Sequence, residues 1–135
     1  MIPFNIPWEE YRTKPGNLKG ISSKLVHLLD DLDIYVDGKV VAHCLLDDRA
    51  SSNYHTRGMA CDLHIEGLHP LEQFIVARRF PFTGIGVYGD DVWYNPGLHV
   101  DVREVSKAGA RWARIKDGDT LRYVPLDLEY IRRIL

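Results

Sequence analysis

The stretch Leu98-His99-Val100-Asp101-Val102-Arg103 alternates apolar and polar side chains without a break. Successive side chains of an extended strand point to opposite faces, so the pattern turns Leu98, Val100 and Val102 toward a core and holds His99 and Asp101 together on the other face. Further strands are predicted at Met59 to Ile65 and Gly84 to Tyr88, and at Arg111 to Lys116 with Leu121 to Val124 around Asp117-Gly118. The pair Asp37-Gly38 stands between the β-favouring runs Ile34 to Val36 and Val40 to Cys44, which predicts a hairpin there.

Helical spacing is confined to a few segments. Leu25, Leu28, Leu29 and Leu32 recur on one face behind a Ser cap, giving a helix over Ser22 to Leu32. Pro70 suits the first turn of a helix to about Arg79, with Leu71, Phe74, Ile75 and Ala77 on its buried side and Pro81 as the stop. A last helix is expected from Pro125 or Leu126 to the C-terminus. These elements mix without βαβ alternation, so the expected fold class is α+β: a single domain over residues 1–135, with a mainly antiparallel sheet and flanking helices.

With 17 Lys and Arg against 19 Asp and Glu, and no basic stripe interleaved with aromatics, the chain argues against nucleic acid as its partner. No run reaches the roughly 18 apolar residues of a spanning helix, so no membrane insertion is expected. Met-Ile-Pro-Phe-Asn-Ile-Pro-Trp-Glu-Glu at the N-terminus has neither the basic nor the apolar region of a signal peptide, which leaves localisation unassigned. Cys44 and Cys61 permit one disulfide at most, and the oligomeric state is not legible.

Leu45 to Gly58 is a polar, loop-like segment, the kind that carries chemistry. His55 and Asp62 lie seven residues apart with Gly58 between them, a spacing that lets a loop turn back into a strand and aim both side chains at one point. A catalytic zinc takes three protein ligands and leaves a position open for water. The polar face of the His99 strand is where a third ligand and a proton-handling carboxylate fit.

Asn53-Tyr54-His55-Thr56-Arg57-Gly58-Met59-Ala60-Cys61-Asp62 resembles the S-x-H-x-x-G-x-A-x-D signature of zinc D-Ala-D-Ala peptidases, with His99 following 37 residues after Asp62. The resemblance runs from about Asp47 to Trp112 and includes Gly84-Ile-Gly-Val-Tyr88, His99-Val-Asp101 and Arg111-Trp112. That family includes D-Ala-D-Ala carboxypeptidases and L-alanyl-D-glutamate endopeptidases, and shares its fold with the hedgehog signalling domain. The resemblance implies zinc held by His55, Asp62 and His99, with Arg49 binding a substrate carboxylate or carbonyl. It implies hydrolysis of a peptide bond in peptidoglycan stem peptides; a phage lysin, a chain cut from a longer precursor or a cytoplasmic role in recycling would each reconcile that substrate with the N-terminus. Asn53 stands where the signature has Ser, and Ser52 is one residue earlier, so both join Arg49 as substrate-contact candidates.

Many members carry an acid about three residues before the last His, whereas Tyr94-Asn95-Pro96-Gly97-Leu98 has none. Asp101 is the first candidate for the general base, with Asp90 and Asp91 as alternatives. Asp101 also suits a supporting role, accepting the imidazole N–H of a ligand histidine. The missing acid sustains the second reading, a catalytically inactive zinc-binding domain of the same fold. Gly84-Ile-Gly-Val-Tyr-Gly89 matches GxGxxG, but no helix pattern follows it and Asp90-Asp91 would repel a pyrophosphate. His27, His43, His64 and His69 read as packed or exposed histidines, with His64 set apart by sharing a strand face with Asp62. Trp93 and Tyr94 suit a cleft wall or a core, and Trp112 suits packing beneath the site.

Overall fold

A computed structural model describes residues 21–44, 54, 57–90, 92, 96–104 and 109–126. Among them the chain forms α1 (Ser23–Tyr35), β1 (Val40–Cys44), β2 (Ala60–Ile65), α2 (Pro70–Ala77), β3 (Gly84–Tyr88), β4 (Gly97–Asp101), β5 (Ala110–Asp117) and β6 (Thr120–Pro125). The strands make one six-stranded sheet in the order β1-β2-β4-β3-β5-β6. Every neighbouring pair is antiparallel except β3 with β5, which is parallel. The result is a single α+β domain with two helices and a mostly antiparallel mixed sheet.

The alternation of β4 works as its sequence dictates. Leu98 and Val100 join Cys61, Leu63 and Ile65 of β2 and Ile85 and Val87 of β3 in one core, into which α1 inserts Leu25, Leu28, Leu29 and Leu32. At about 25 cal/mol per Å² of apolar surface, packing of this kind is the main favourable term in folding. α2 closes on the same sheet through Ala77, and Gln73 threads its buried amide between backbones: Oε1 accepts from Ile65 N at 2.9 Å, while Nε2 donates to the carbonyls of Leu68 (2.9 Å) and Pro96 (3.1 Å). His69 caps α2, its side chain accepting from Leu71 N while Glu72 reaches back to His69 N.

The hairpin expected at Asp37-Gly38 is not formed. Ile34 and Tyr35 are instead the last turn of α1, and β1 pairs with β2. Asp37 (φ 56°) and Gly38 (φ 76°) end the helix, and Gly38 N donates to Asp33 O at 2.8 Å. A left-handed Asp-Gly serves a helix terminus as well as a tight hairpin, and the local pattern does not separate the two. What decides is α1's apolar stripe, whose burial onto the sheet carries the helix beyond Leu32. At the other end of the chain, the second turn forms as read: β5 and β6 meet around Gly118, with Asp117 opposite Thr120. Pro125 belongs to β6, and the rest of the expected last helix, residues 127–135, lies outside the described residues.

Asp33 is the one polar residue α1 sends wholly inward. Its Oδ1 accepts from Val40 N at 3.0 Å and so ties the helix end to β1, while Oδ2 is buried without a partner. Burial pushes its carboxyl above the ordinary carboxylate value, against the pull of that backbone bond. A raised folded-state value means that ionised Asp33 costs stability as pH rises through the window between the unfolded and the folded value. Asp33→Asn keeps an acceptor for Val40 without the charge, so its stability relative to wild type should rise from pH 3 to pH 7 in urea denaturation. Asp33→Ala, which strands the Val40 N–H, should lose about 1–3 kcal/mol at pH 3.

Candidate metal centre

The sheet face opposite the helices is polar, and register places its side chains in rows. Asp62 lies opposite His99, His99 opposite Gly86, and Gly86 opposite Trp112, so one row crosses β2, β4, β3 and β5. A flanking row runs Ala60, Asp101, Gly84, Ala110. The glycines of Gly84-Ile-Gly86 are required for space. A Cβ on Gly86 would sit 2.5 Å from the Trp112 indole, and one on Gly84 would intrude on the Asp101 carboxylate. Without those atoms Trp112 leans across β3 until its ring centre is 5.0 Å from that of His99.

His99 is buried and held from two sides. Its Nε2 lies 2.8 Å from Asp101 Oδ2 and its Nδ1 lies 3.3 Å from Asp62 Oδ1. Since the carboxylate of Asp101 only accepts, Nε2 carries the proton and Nδ1 is left to face Asp62. Burial alone would lower the His99 imidazole's affinity for a proton, but its bonds to Asp101 and Asp62 together raise it.

Asp101 is wholly buried, and both its oxygens are engaged. Arg103 donates to Oδ2 through Nη2 at 2.6 Å and to Oδ1 through Nε at 2.9 Å, a fork-on-fork pair, and its backbone N adds a 3.2 Å bond to Oδ1. Burial would raise this carboxyl; the bonds from Arg103 and His99 outweigh it and hold it far below the usual carboxylate range. The Arg103 guanidinium lies over the Tyr54 ring at 4.5 Å and the Trp112 ring at 5.0 Å.

The structure thus brings together Asp62, His99 and Asp101 as the strand alternation requires. Asp90 is exposed in the turn after β3, where Val92 N donates to Gly89 O. His55, Arg49, Ser52, Asn53 and Asp91 lie outside the described residues, as do Trp93 and Tyr94. Among the described residues no group of three or more His, Cys, Asp and Glu is arranged to hold a metal, which leaves Asp62 and His99 as the described part of the expected triad.

Sequence reasoning missed two features. One is Arg103, which the β4 alternation puts on the face of His99 and Asp101 but to which the sequence reading gave no role. The other is the pair His43 and His64, whose Nε2 and Nδ1 lie 2.6 Å apart. Their ring centres are 4.8 Å apart, little more than that contact plus a ring radius at each end, so the imidazoles meet edge to edge in a single N–H···N bond. Burial lowers the proton affinity of both; the neighbouring His64 lowers that of His43 further while Asp62 opposes it, and Glu66 opposes the lowering at His64. His64 shares the Asp62 face by period two, and His43 shares it by the same period, two residues after Val41, which lies opposite His64; an irregularity of register between Ala42 and Cys44 falls at this point.

Gly86→Ala should displace the indole of Trp112, costing about 1–3 kcal/mol in denaturant titration and altering the near-ultraviolet circular dichroism of the folded protein. An unchanged spectrum with unchanged stability would mean that the row has slack that the packing denies. Comparison of the chain with family models, with curated proteins and with solved structures finds no match.

Proposed function

We propose that the chain is a zinc-dependent peptidase that hydrolyses a peptide bond in peptidoglycan stem peptides, of the D-Ala-D-Ala carboxypeptidase or endopeptidase type. The observation that carries this reading is the 3.3 Å between His99 Nδ1 and Asp62 Oδ1. A charge-assisted N–H···O bond closes to about 2.7–2.9 Å, whereas ligand bonds of about 2.0–2.2 Å at a tetrahedral angle set two donors roughly 3.3 Å apart. The imidazole and the carboxylate therefore stand at the spacing of two zinc ligands, and with Nε2 donating to Asp101 the neutral imidazole offers its Nδ1 lone pair to a metal. His55, from the ten-residue signature, supplies the third ligand in this reading.

Zinc held by such a set supplies a Lewis acid for the amide carbonyl and a bound water acidified toward a pKa of about 7. The chain's own residues do the rest. Asp62 contributes a negative ligand that reduces the net charge of the centre. Asp101 orients His99 and strengthens it as a donor, the support that ligating histidines ordinarily receive. Arg49 suits a substrate carboxylate, because a planar, permanently charged fork binds one in two-point fashion.

Of the three acids considered for the proton-accepting step, Asp101 is the least suited. Its oxygens are both bonded, it is sealed from solvent, and Arg103 holds it ionised with no lone pair directed at a water. That leaves Asp90 and Asp91, which adjoin β3. The same engagement of Asp101 favours the second reading, a zinc-binding domain without turnover, should neither acid serve.

Purified protein should bind one zinc per chain by elemental analysis and release D-alanine or new amino termini from muropeptides by mass spectrometry. His99→Ala and Asp62→Ala should lose both zinc and turnover. Asp101→Asn should weaken zinc binding about 10–100-fold. Substituting the true proton acceptor, Asp90→Asn or Asp91→Asn, should lower kcat about 10²–10⁴-fold with zinc retained. Stoichiometric zinc with intact muropeptides would reject the peptidase and leave the binding domain.

A further inference from the structure

We infer that Tyr54 and Arg103 form a clasp that positions the two halves of the metal centre against each other, an inference that rests on the zinc reading above. The two halves come from separate parts of the chain: His55 follows Tyr54 directly, whereas His99 sits in β4 and is oriented by Asp101. Arg103 belongs to both. Its nitrogens fork the Asp101 carboxylate, and its flat face covers the Tyr54 ring at 4.5 Å.

Tyr54 is gripped from further directions. The guanidinium of Arg57 lies 4.6 Å from the same ring centre. Tyr54 Oη donates to Glu104 Oε2 at 3.3 Å, and Arg57 Nη1 pairs with Glu104 Oε1 at 2.9 Å. Met59 N donates to Tyr54 O at 2.8 Å, and Val102 N to Met59 O at 2.9 Å, so the backbone after the signature is laced to the end of β4. The Arg57–Glu104 pair is half exposed and contributes little by itself, since exposed ion pairs are screened by water. The Arg103 side chain is only 15% exposed, and its cation–π contacts are correspondingly less screened.

The consequence concerns metal affinity. A ligand whose neighbour is already docked loses less conformational freedom when the metal arrives, so affinity rises with preorganisation. Phe at position 54 keeps the ring that Arg103 covers and loses only the bond to Glu104. Leu removes the ring. Lys at position 103 keeps the charge but cannot fork a carboxylate or stack as a plane.

The test is zinc affinity by competition with a chromophoric chelator, alongside urea denaturation of the metal-free proteins. Tyr54→Phe should bind zinc within about twofold of wild type, while Tyr54→Leu and Arg103→Lys should each bind about 10-fold or more weakly, the scale of lost support behind a metal ligand. Tyr54→Leu should lower the metal-free urea midpoint slightly and Arg103→Lys, which breaks the buried fork on Asp101, should lower it more. The clasp is overturned if Tyr54→Leu binds zinc as wild type does, if Tyr54→Phe is as weak as Tyr54→Leu, or if a Leu28→Ala core variant matched to Tyr54→Leu in metal-free stability binds zinc as weakly as Tyr54→Leu does. Wild type that binds no zinc overturns the clasp and the peptidase together. Weakened variants of a wild type that binds zinc but cleaves no muropeptide support the clasp while the peptidase fails.

Discussion

The buried carboxylate of Asp101 is the constraint around which this sheet face is arranged. An ionised group with no exposed surface is tolerated only when its lone pairs are filled, and removing one partner of such a pair typically costs about 3–5 kcal/mol. Arg103 and His99 fill them here. The arrangement makes demands on its neighbours in turn. Gly84 must lack a side chain so that the carboxylate fits, Gly86 must lack one so that Trp112 can lean toward His99, and Tyr54 and Trp112 carry the guanidinium that compensates the charge. Two glycines, two aromatics, an arginine and a histidine therefore follow from one acid.

That dependence explains why part of the site was legible in the sequence and part was not. Leu98 to Asp101 could be read directly, because a strand's period of two leaves no freedom in which side chains share a face. Asp62 and His64 were legible for the same reason. Arg103 was not, because whether a residue just past a strand folds back onto its neighbour depends on what it stacks against, and Tyr54 is 49 positions earlier in the sequence. His43 lies on that face by the same alternation, but its contact with His64 depends on how β1 pairs with β2, which the local sequence does not carry. The glycines of Gly84-Ile-Gly86 suggested a phosphate-binding turn by spelling alone, yet they are there to leave room for side chains of other strands.

The fold shows the same division. The stripe of leucines in α1 and the alternation of β4 were sufficient to place helix against sheet, and the class followed. The end of α1 was misread because Ile34, Tyr35 and Val36 have β propensity and precede Asp-Gly. Propensity of three residues is a weak prior against a helix already anchored by four buried leucines and by Asp33. The parallel pairing of β3 with β5 was equally out of reach, since nothing local distinguishes a strand that pairs in parallel from one that does not.

In the proposed reading, binding a metal and turning over a substrate would draw on different parts of this molecule. Asp62 and His99 lie on adjacent central strands, opposite each other in register, and are backed by a carboxylate that is itself locked. Their spacing is a property of the sheet. A proton acceptor would have no such backing: the acid in the row next to His99 is fully committed to supporting it, and Asp90 is exposed in a turn. Any substitution that frees Asp101 to take a proton also removes the support that orients His99, so in the zinc reading this carboxylate could not both hold the proposed ligand and serve as the base.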